Sequence, residues 1–275
     1  MPATQFFVHT GKVALSVMKW DSPLHHATVL ILIHGYGSNS ETWGRVVDKL
    51  SQAFQLFTID LRGMGRSGRY GKKSVRQTWA DDVASAIAVL ASERVVLVGH
   101  SLGGWIVAAI SAQHPDLISK AILVEPYTGA YSGVRKQSRQ RPQNKRRGRA
   151  DLIRSARTPK DLQQAVAKEY EGASDDSVRR IAKMWFEMDP DLEERPSSKS
   201  EDTETFDDIF NSIGCPTLII QGSPDKGGIL SDQETTRVAD LITDSHVLRW
   251  PRVGHSPHIA RDHDFVRAVK QFQKD

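Results

Sequence analysis

Apolar residues come in short unbroken runs along this chain, each closed by glycine or a polar turn. Residues 28–33, 95–98, 121–124 and 217–220 lack the apolar–polar alternation of a half-exposed strand, so they predict strands buried on both faces, and 56–61 also reads as a buried strand. Between them the spacing turns helical. Residues 42–53 carry Trp43, Val46, Val47 and Leu50 on one face, and 75–91 form a second helix with Ser74 as candidate N-cap. A third helix spans 102–113 and stops at His114-Pro115, and others are expected over 232–242 and 262–272. Residues 6–10 and 13–20 predict an opening antiparallel pair joined at Gly11-Lys12, and 246–250 predict the last strand.

Strictly alternating strand and helix implies one mostly parallel sheet, here of eight strands, with helices on both faces. The rhythm breaks at 127–212, where no buried strand occurs and amphipathic pieces such as 162–170 and 178–188 carry many charges. That stretch follows the sixth strand, at the sheet edge where such folds bind ligands. We therefore expect a core of residues 1–126 and 213–275 and a helical cap of 127–212. Within it, 197–204 reads as a polar, flexible connection.

The most informative stretch is Val-Val-Leu-Val-Gly-His-Ser-Leu-Gly-Gly at 95–104, a buried strand running straight into a helix through Gly99-x-Ser101-x-Gly103. In that context Ser101 occupies a nucleophile elbow, a turn so tight that flanking side chains would strike the strand or helix. A serine hydroxyl needs a base to take its proton and a third group to orient that base. With a Ser–acid–His order, the base must lie beyond the cap. His255, in Val253-Gly254-His255-Ser256 after the final strand, is the choice; His258 and His263 read as solvated, and His246 begins a strand. Asp225, in Gly222-Ser223-Pro224-Asp225 after the seventh strand, is the expected acid, with Glu125 at the end of the sixth strand as its rival. The oxyanion hole is expected from the N–H of Leu102, at a helix N-terminus, and that of Tyr36, in the loop His34-Gly35-Tyr36-Gly37. His34 is expected to brace that loop, and His100 to be packed beside the nucleophile. Tyr36, His100 and Trp185 are the expected substrate-binding positions, with Phe186 and Met188 as further candidates for the cap's underside.

Composition narrows the classes without redirecting them. At 275 residues, 39% hydrophobic and 25% charged, this is an ordinary globular composition. No apolar run approaches a membrane span, and the N-terminus has no secretory pattern, so a cytoplasmic location without membrane association is expected. Cys215 is the single cysteine and allows no internal disulfide. The net charge of +4 owes much to the basic run 135–149, which has no acid and no interleaved aromatics. It reads as a solvated segment, and no nucleic-acid partner is expected. No spacing for a metal site or a phosphate loop occurs, so neither metal nor cofactor is expected. The oligomeric expectation is a monomer or homodimer.

Together, His34-Gly35-Tyr36-Gly37, Asp60-Leu61-Arg62-Gly63-Met64-Gly65-Arg66-Ser67, Gly99-His100-Ser101-Leu102-Gly103-Gly104, Asp225 and Gly254-His255 resemble the α/β-hydrolase family. The Asp60–Ser67 segment resembles its esterase, epoxide-hydrolase and dehalogenase-like branch, which also inserts a cap after the sixth strand. Epoxide hydrolases and haloalkane dehalogenases place Asp where this chain has Ser101. Carbon–carbon hydrolases usually carry Asn where it has His100, and many relatives have an acid at Ser223. The resemblance implies a cofactor-independent serine esterase or lactonase acting on a small, fairly apolar substrate through an acyl-enzyme. Two alternatives remain: a cofactor-free oxygenase using the His–Asp pair, and a slow-turnover ligand receptor.

Overall fold

The computed structural model describes residues 3–24, 27–71, 76–129, 143–194 and 205–274. Ser74, most of the basic run 135–149 and the connection 197–204 thus fall wholly or largely outside the described residues. Eight strands, β1 Ala3–His9, β2 Ala14–Trp20, β3 Val29–Ile33, β4 Gln55–Ile59, β5 Val95–His100, β6 Ile118–Val124, β7 Thr217–Gln221 and β8 Ser245–Arg249, form one sheet. Their order is β1-β2-β4-β3-β5-β6-β7-β8. β2 is antiparallel to both neighbours, and every pair from β4 to β8 is parallel.

The helices are α1 Val47–Leu50, α2 Arg76–Leu90, α3 Leu102–Gln113, α4 Gln143–Ser155, α5 Gln163–Glu169 and α6 Asp175–Phe186. After them come α7 Asp191–Glu194, α8 Phe206–Asn211, α9 Asp232–Leu241, α10 Pro257–Ala260 and α11 Asp262–Lys274. Among the described residues none is long and apolar enough to cross a membrane.

Successive side chains of a strand point to opposite faces, so each apolar run supplies two cores at once. On β3, Ile31 and Ile33 join a cluster with Trp79 of α2 and Ile106 and Ile110 of α3. Leu30 and Leu32 face the other way, toward Trp43, Leu50, Phe265 and Phe272. On β5, Leu97 and Val98 divide between the same two clusters. This is why the runs show no polar alternation: both faces are covered. The consequence for function is positional. The parallel strands all end at one edge, and the turns after β3, β5, β6, β7 and β8 meet there. Helices α4 to α8 lie between β6 and β7 in sequence, and the last of them, α8, packs on α3 and α9.

Candidate active site

Ser101 leaves β5 with φ 56° and ψ −115°, a left-handed conformation a β-carbon resists, and caps α3. Its neighbours hold it there: Ser101 N donates to Val124 O (3.0 Å) and Tyr127 N donates to Ser101 O (2.9 Å). The flanking glycines are obligatory for space. A β-carbon at Gly99 would run into the backbone of Gly103, and one at Gly103 into the carbonyls of Ile33 and His34. Leu102 opens α3, so its amide belongs to the N-terminal turn, where the helix dipole is positive.

The loop after β3 crosses directly over this turn. A β-carbon on Gly35 would sit 3.0 Å from Ser101 Cβ, tighter than an ordinary contact, so the glycine eases the close passage of the loop past the serine. His34 is fully buried and bridges the loop: its Nδ1 lies 2.8 Å from Gly35 O, and its Nε2 accepts from Leu61 N (3.0 Å). Burial pushes its pKa below the usual histidine value, so the imidazole is a neutral brace.

His255 lies on the turn after β8, 9% exposed, with Nδ1 3.2 Å from Glu125 Oε2. Glu125 directly follows β6, with φ 47° and no exposure. Its Oε1 accepts from Gly222 N (2.7 Å) and its Oε2 from Ile229 N (2.6 Å). A buried carboxylate needs such donors, and here two amides and an imidazole supply them. Arg252, just before His255, is the third described non-glycine residue at positive φ (65°), so all three lie at the carboxyl ends of β5, β6 and β8.

Asp225, the acid expected from the sequence, is not in this cluster. It lies in a short turn, Pro224–Lys226, with its side chain 69% exposed, hydrogen-bonded to Ser223 and near Lys226 (3.8 Å). The Ser223 hydroxyl, and secondarily Lys226, hold its carboxyl below the ordinary aspartate value in open solvent. The turn after β7 does serve the site, but with backbone: it gives the Gly222 and Ile229 amides to Glu125. Where the sequence reading placed a carboxylate, the structure places its donors.

His100 is packed beside the nucleophile, as the sequence reading expected, and holds the turn that carries His255. It is 7% exposed, its Nε2 donates to the carbonyl of His255 (2.6 Å), and its ring lies 4.6 Å from both His255 and His258. His258, expected to be solvated, is 1% exposed against Trp43 (4.4 Å) and pairs with Thr42 Oγ1 (3.2 Å). Its Nδ1 is buried without a hydrogen-bond partner. Burial, and then His100, push its pKa well below the histidine norm.

Trp185, expected in the substrate pocket, is packed within the cap, 3% exposed, with Arg149 over its ring (4.9 Å) and Tyr170 at 6.4 Å. Met184 and Met188 are among the side chains of this segment that meet the loop after β3. Phe186 lines a cavity of about 260 Å³ with Arg66, Arg69, Glu187 and Asp189, away from Ser101.

A family model described as the alpha/beta hydrolase family matches residues 30–268, and the chain belongs to that family. A putative esterase/lipase of Haemophilus influenzae is 24% identical over 253 residues, covering 89% of this chain and 82% of that protein. The pimeloyl-[acyl-carrier protein] methyl ester esterase of Pectobacterium carotovorum is 32% identical over 110 residues, 40% of this chain and 41% of the other. The crystal structure of the enol-lactonase from Burkholderia xenovorans superposes with a TM-score of 0.76 at 19% identity, covering 98% of this chain and all of that one. Esterases and lactonases are thus its neighbours in sequence and fold.

Proposed function

We propose that the protein is a cofactor-independent serine hydrolase of small, fairly apolar carboxylic esters or lactones. The observation that carries the reading is the buried His255–Glu125 pair at the sheet edge that bears the strained Ser101. In this reading His255 Nε2 takes the proton of Ser101 Oγ as the oxygen attacks the acyl carbon. Glu125, held by two amides, fixes the imidazole through Nδ1–H and stabilises the imidazolium. Leu102 N–H and Tyr36 N–H receive the oxyanion. Collapse of the tetrahedral intermediate breaks the bond to the leaving oxygen, which takes the proton from His255; a ring-opened lactone keeps its alcohol on the acyl chain. Water, deprotonated by His255, then cleaves the acyl-enzyme and frees the carboxylate.

The substrate class draws support from three features. Ser101 and His255 are nearly buried, which suits a small acyl group. The thioethers of Met184 and Met188 lie on the cap side of the Gly37-Ser38 loop. The named neighbours cleave esters and lactones. The test is a panel of p-nitrophenyl esters and simple lactones with the wild type and Ser101→Ala. Loss of the nucleophile is expected to lower turnover on the order of 10^4-fold with an unchanged melting temperature. A variant keeping a tenth of the wild-type activity would remove Ser101 from the chemistry.

A further inference from the structure

The loop after β3 carries Tyr36, whose amide the serine-hydrolase reading assigns to the oxyanion hole, and the present inference rests on that reading. The cap grips this loop almost residue by residue. The Tyr36 hydroxyl lies 3.0 Å from Leu192 O and 3.0 Å from Glu193 Oε1. Ser38 Oγ donates to Met184 Sδ (3.7 Å), Asn39 Nδ2 donates to Glu187 Oε2 (2.7 Å), and Lys183 pairs with Glu41. Met188 Sδ stands 3.9 Å from where a Gly37 β-carbon would be. Positions 183, 184, 187 and 188 recur at the spacing of one helix face, so the end of α6 and the residues just beyond it present a single surface to the loop.

Glu193 differs from the other grips because it is buried, 3% exposed, and joins three elements. It accepts from Tyr36 and pairs with Arg149 of α4, which also lies 3.6 Å from Glu169 of α5. Burial works against charge on the Arg149 guanidinium, yet Glu193, Tyr36 and Glu169 together hold its pKa above the ordinary arginine value. Buried ion pairs contribute little net stability, but they fix geometry. The geometry fixed here is that of a loop so close to Ser101 that a β-carbon on Gly35 would stand 3.0 Å from Ser101 Cβ.

We propose that Glu193 is a positioning residue for the oxyanion hole. By accepting a hydrogen bond from the Tyr36 hydroxyl it holds the Tyr36 backbone where its N–H meets the developing oxyanion. Seating of the cap and completion of the catalytic site are then one event. Oxyanion donors act only when placed within a few tenths of an ångström, so release of the tether costs transition-state binding and spares ground-state binding.

The experiment compares wild type, Glu193→Ala, Glu193→Gln and Tyr36→Phe. Two readouts are kinetics with p-nitrophenyl butyrate and inhibition by an alkyl trifluoromethyl ketone, whose hemiketal on Ser101 places an oxyanion in the hole. Fluorophosphonate labelling of the wild type at Ser101 is the control. Glu193→Ala and Tyr36→Phe are expected to lower kcat by roughly tenfold to a hundredfold, with KM within about threefold, and to weaken the ketone by a similar factor. Glu193→Gln, which still offers an acceptor to Tyr36, is expected to recover most of the loss. A Glu193→Ala protein with a lower melting temperature but unchanged kcat and ketone affinity would make Glu193 a structural residue and overturn the proposal. If Glu193→Ala does not fold, Tyr36→Phe decides by the same readouts. A wild type that neither hydrolyses the ester nor is labelled at Ser101 refutes the hydrolase reading itself, and the positioning role with it.

Discussion

Solvent decides which of two carboxylates can orient a histidine. Asp225 stands in water, where a hydrogen bond from an imidazole competes with bulk solvent and is worth little. Glu125 stands in a dry site with its lone pairs met by Gly222 N, Ile229 N and His255 Nδ1. The sequence hid this because a Gly-x-Pro-Asp turn after a strand carries the same letters whether it offers a carboxylate or its amides. The one legible sign was a glutamate closing a wholly apolar strand, Ala121-Ile-Leu-Val124, where an ionisable residue must have a partner. His258 was misread for a similar reason: a polar residue after Ser256-Pro257 looks exposed until Trp43 and Phe265 cover it.

The burial of His258 has a consequence in acid. Its folded pKa lies well below the ordinary value, so as pH falls through about 6.5 the unfolded chain takes up a proton that the native site refuses. Stability is therefore full above that pH and is lost below it, by up to about 1.4 kcal/mol per pH unit for one such group. His34, lowered by burial in the same direction, adds to the effect. Melting temperatures between pH 7 and 5 are expected to fall less steeply for His258→Gln than for the wild type. Equal slopes would mean that His258 protonates in place.

Among the elements, the five inner strands β3 to β7 could be read from their largely apolar runs, because a sheet covered on both faces favours apolar residues throughout. The cap could be recognised as helical but not oriented. On α6 the apolar side chains Trp185 and Met184 are adjacent, and only the packing of α4 and α5 assigns Trp185 to the cap interior and Met184 to the loop below. Truncating Trp185 to Ala is accordingly expected to cost about 3–5 kcal/mol, seen as a lower melting temperature. The ranking of short against bulky p-nitrophenyl esters by kcat/KM is expected to stay as in the wild type. A changed ranking at an unchanged melting temperature would return Trp185 to the substrate pocket.

For the whole molecule, one sheet brings together groups far apart in the chain. Ser101 follows β5, Glu125 follows β6, and His255 follows β8, all at the edge where parallel strands end. In the proposed reading, the elbow marks Ser101 in the sequence and the place after the last strand marks His255. The sequence could not disclose the third member, because a step of one strand along the sheet leaves the order Ser–acid–His unchanged. The central claim is therefore that Glu125, and not Asp225, serves His255. Its most direct measurement is the rate at which a fluorophosphonate modifies Ser101 in Glu125→Gln and Asp225→Asn, with the labelled residue mapped by mass spectrometry. Glu125→Gln is expected to slow labelling on the order of 10^3-fold or more, as loss of an orienting carboxylate does in other triads, while Asp225→Asn reacts at close to the wild-type rate. Slow labelling of Asp225→Asn beside near-normal labelling of Glu125→Gln would contradict the account.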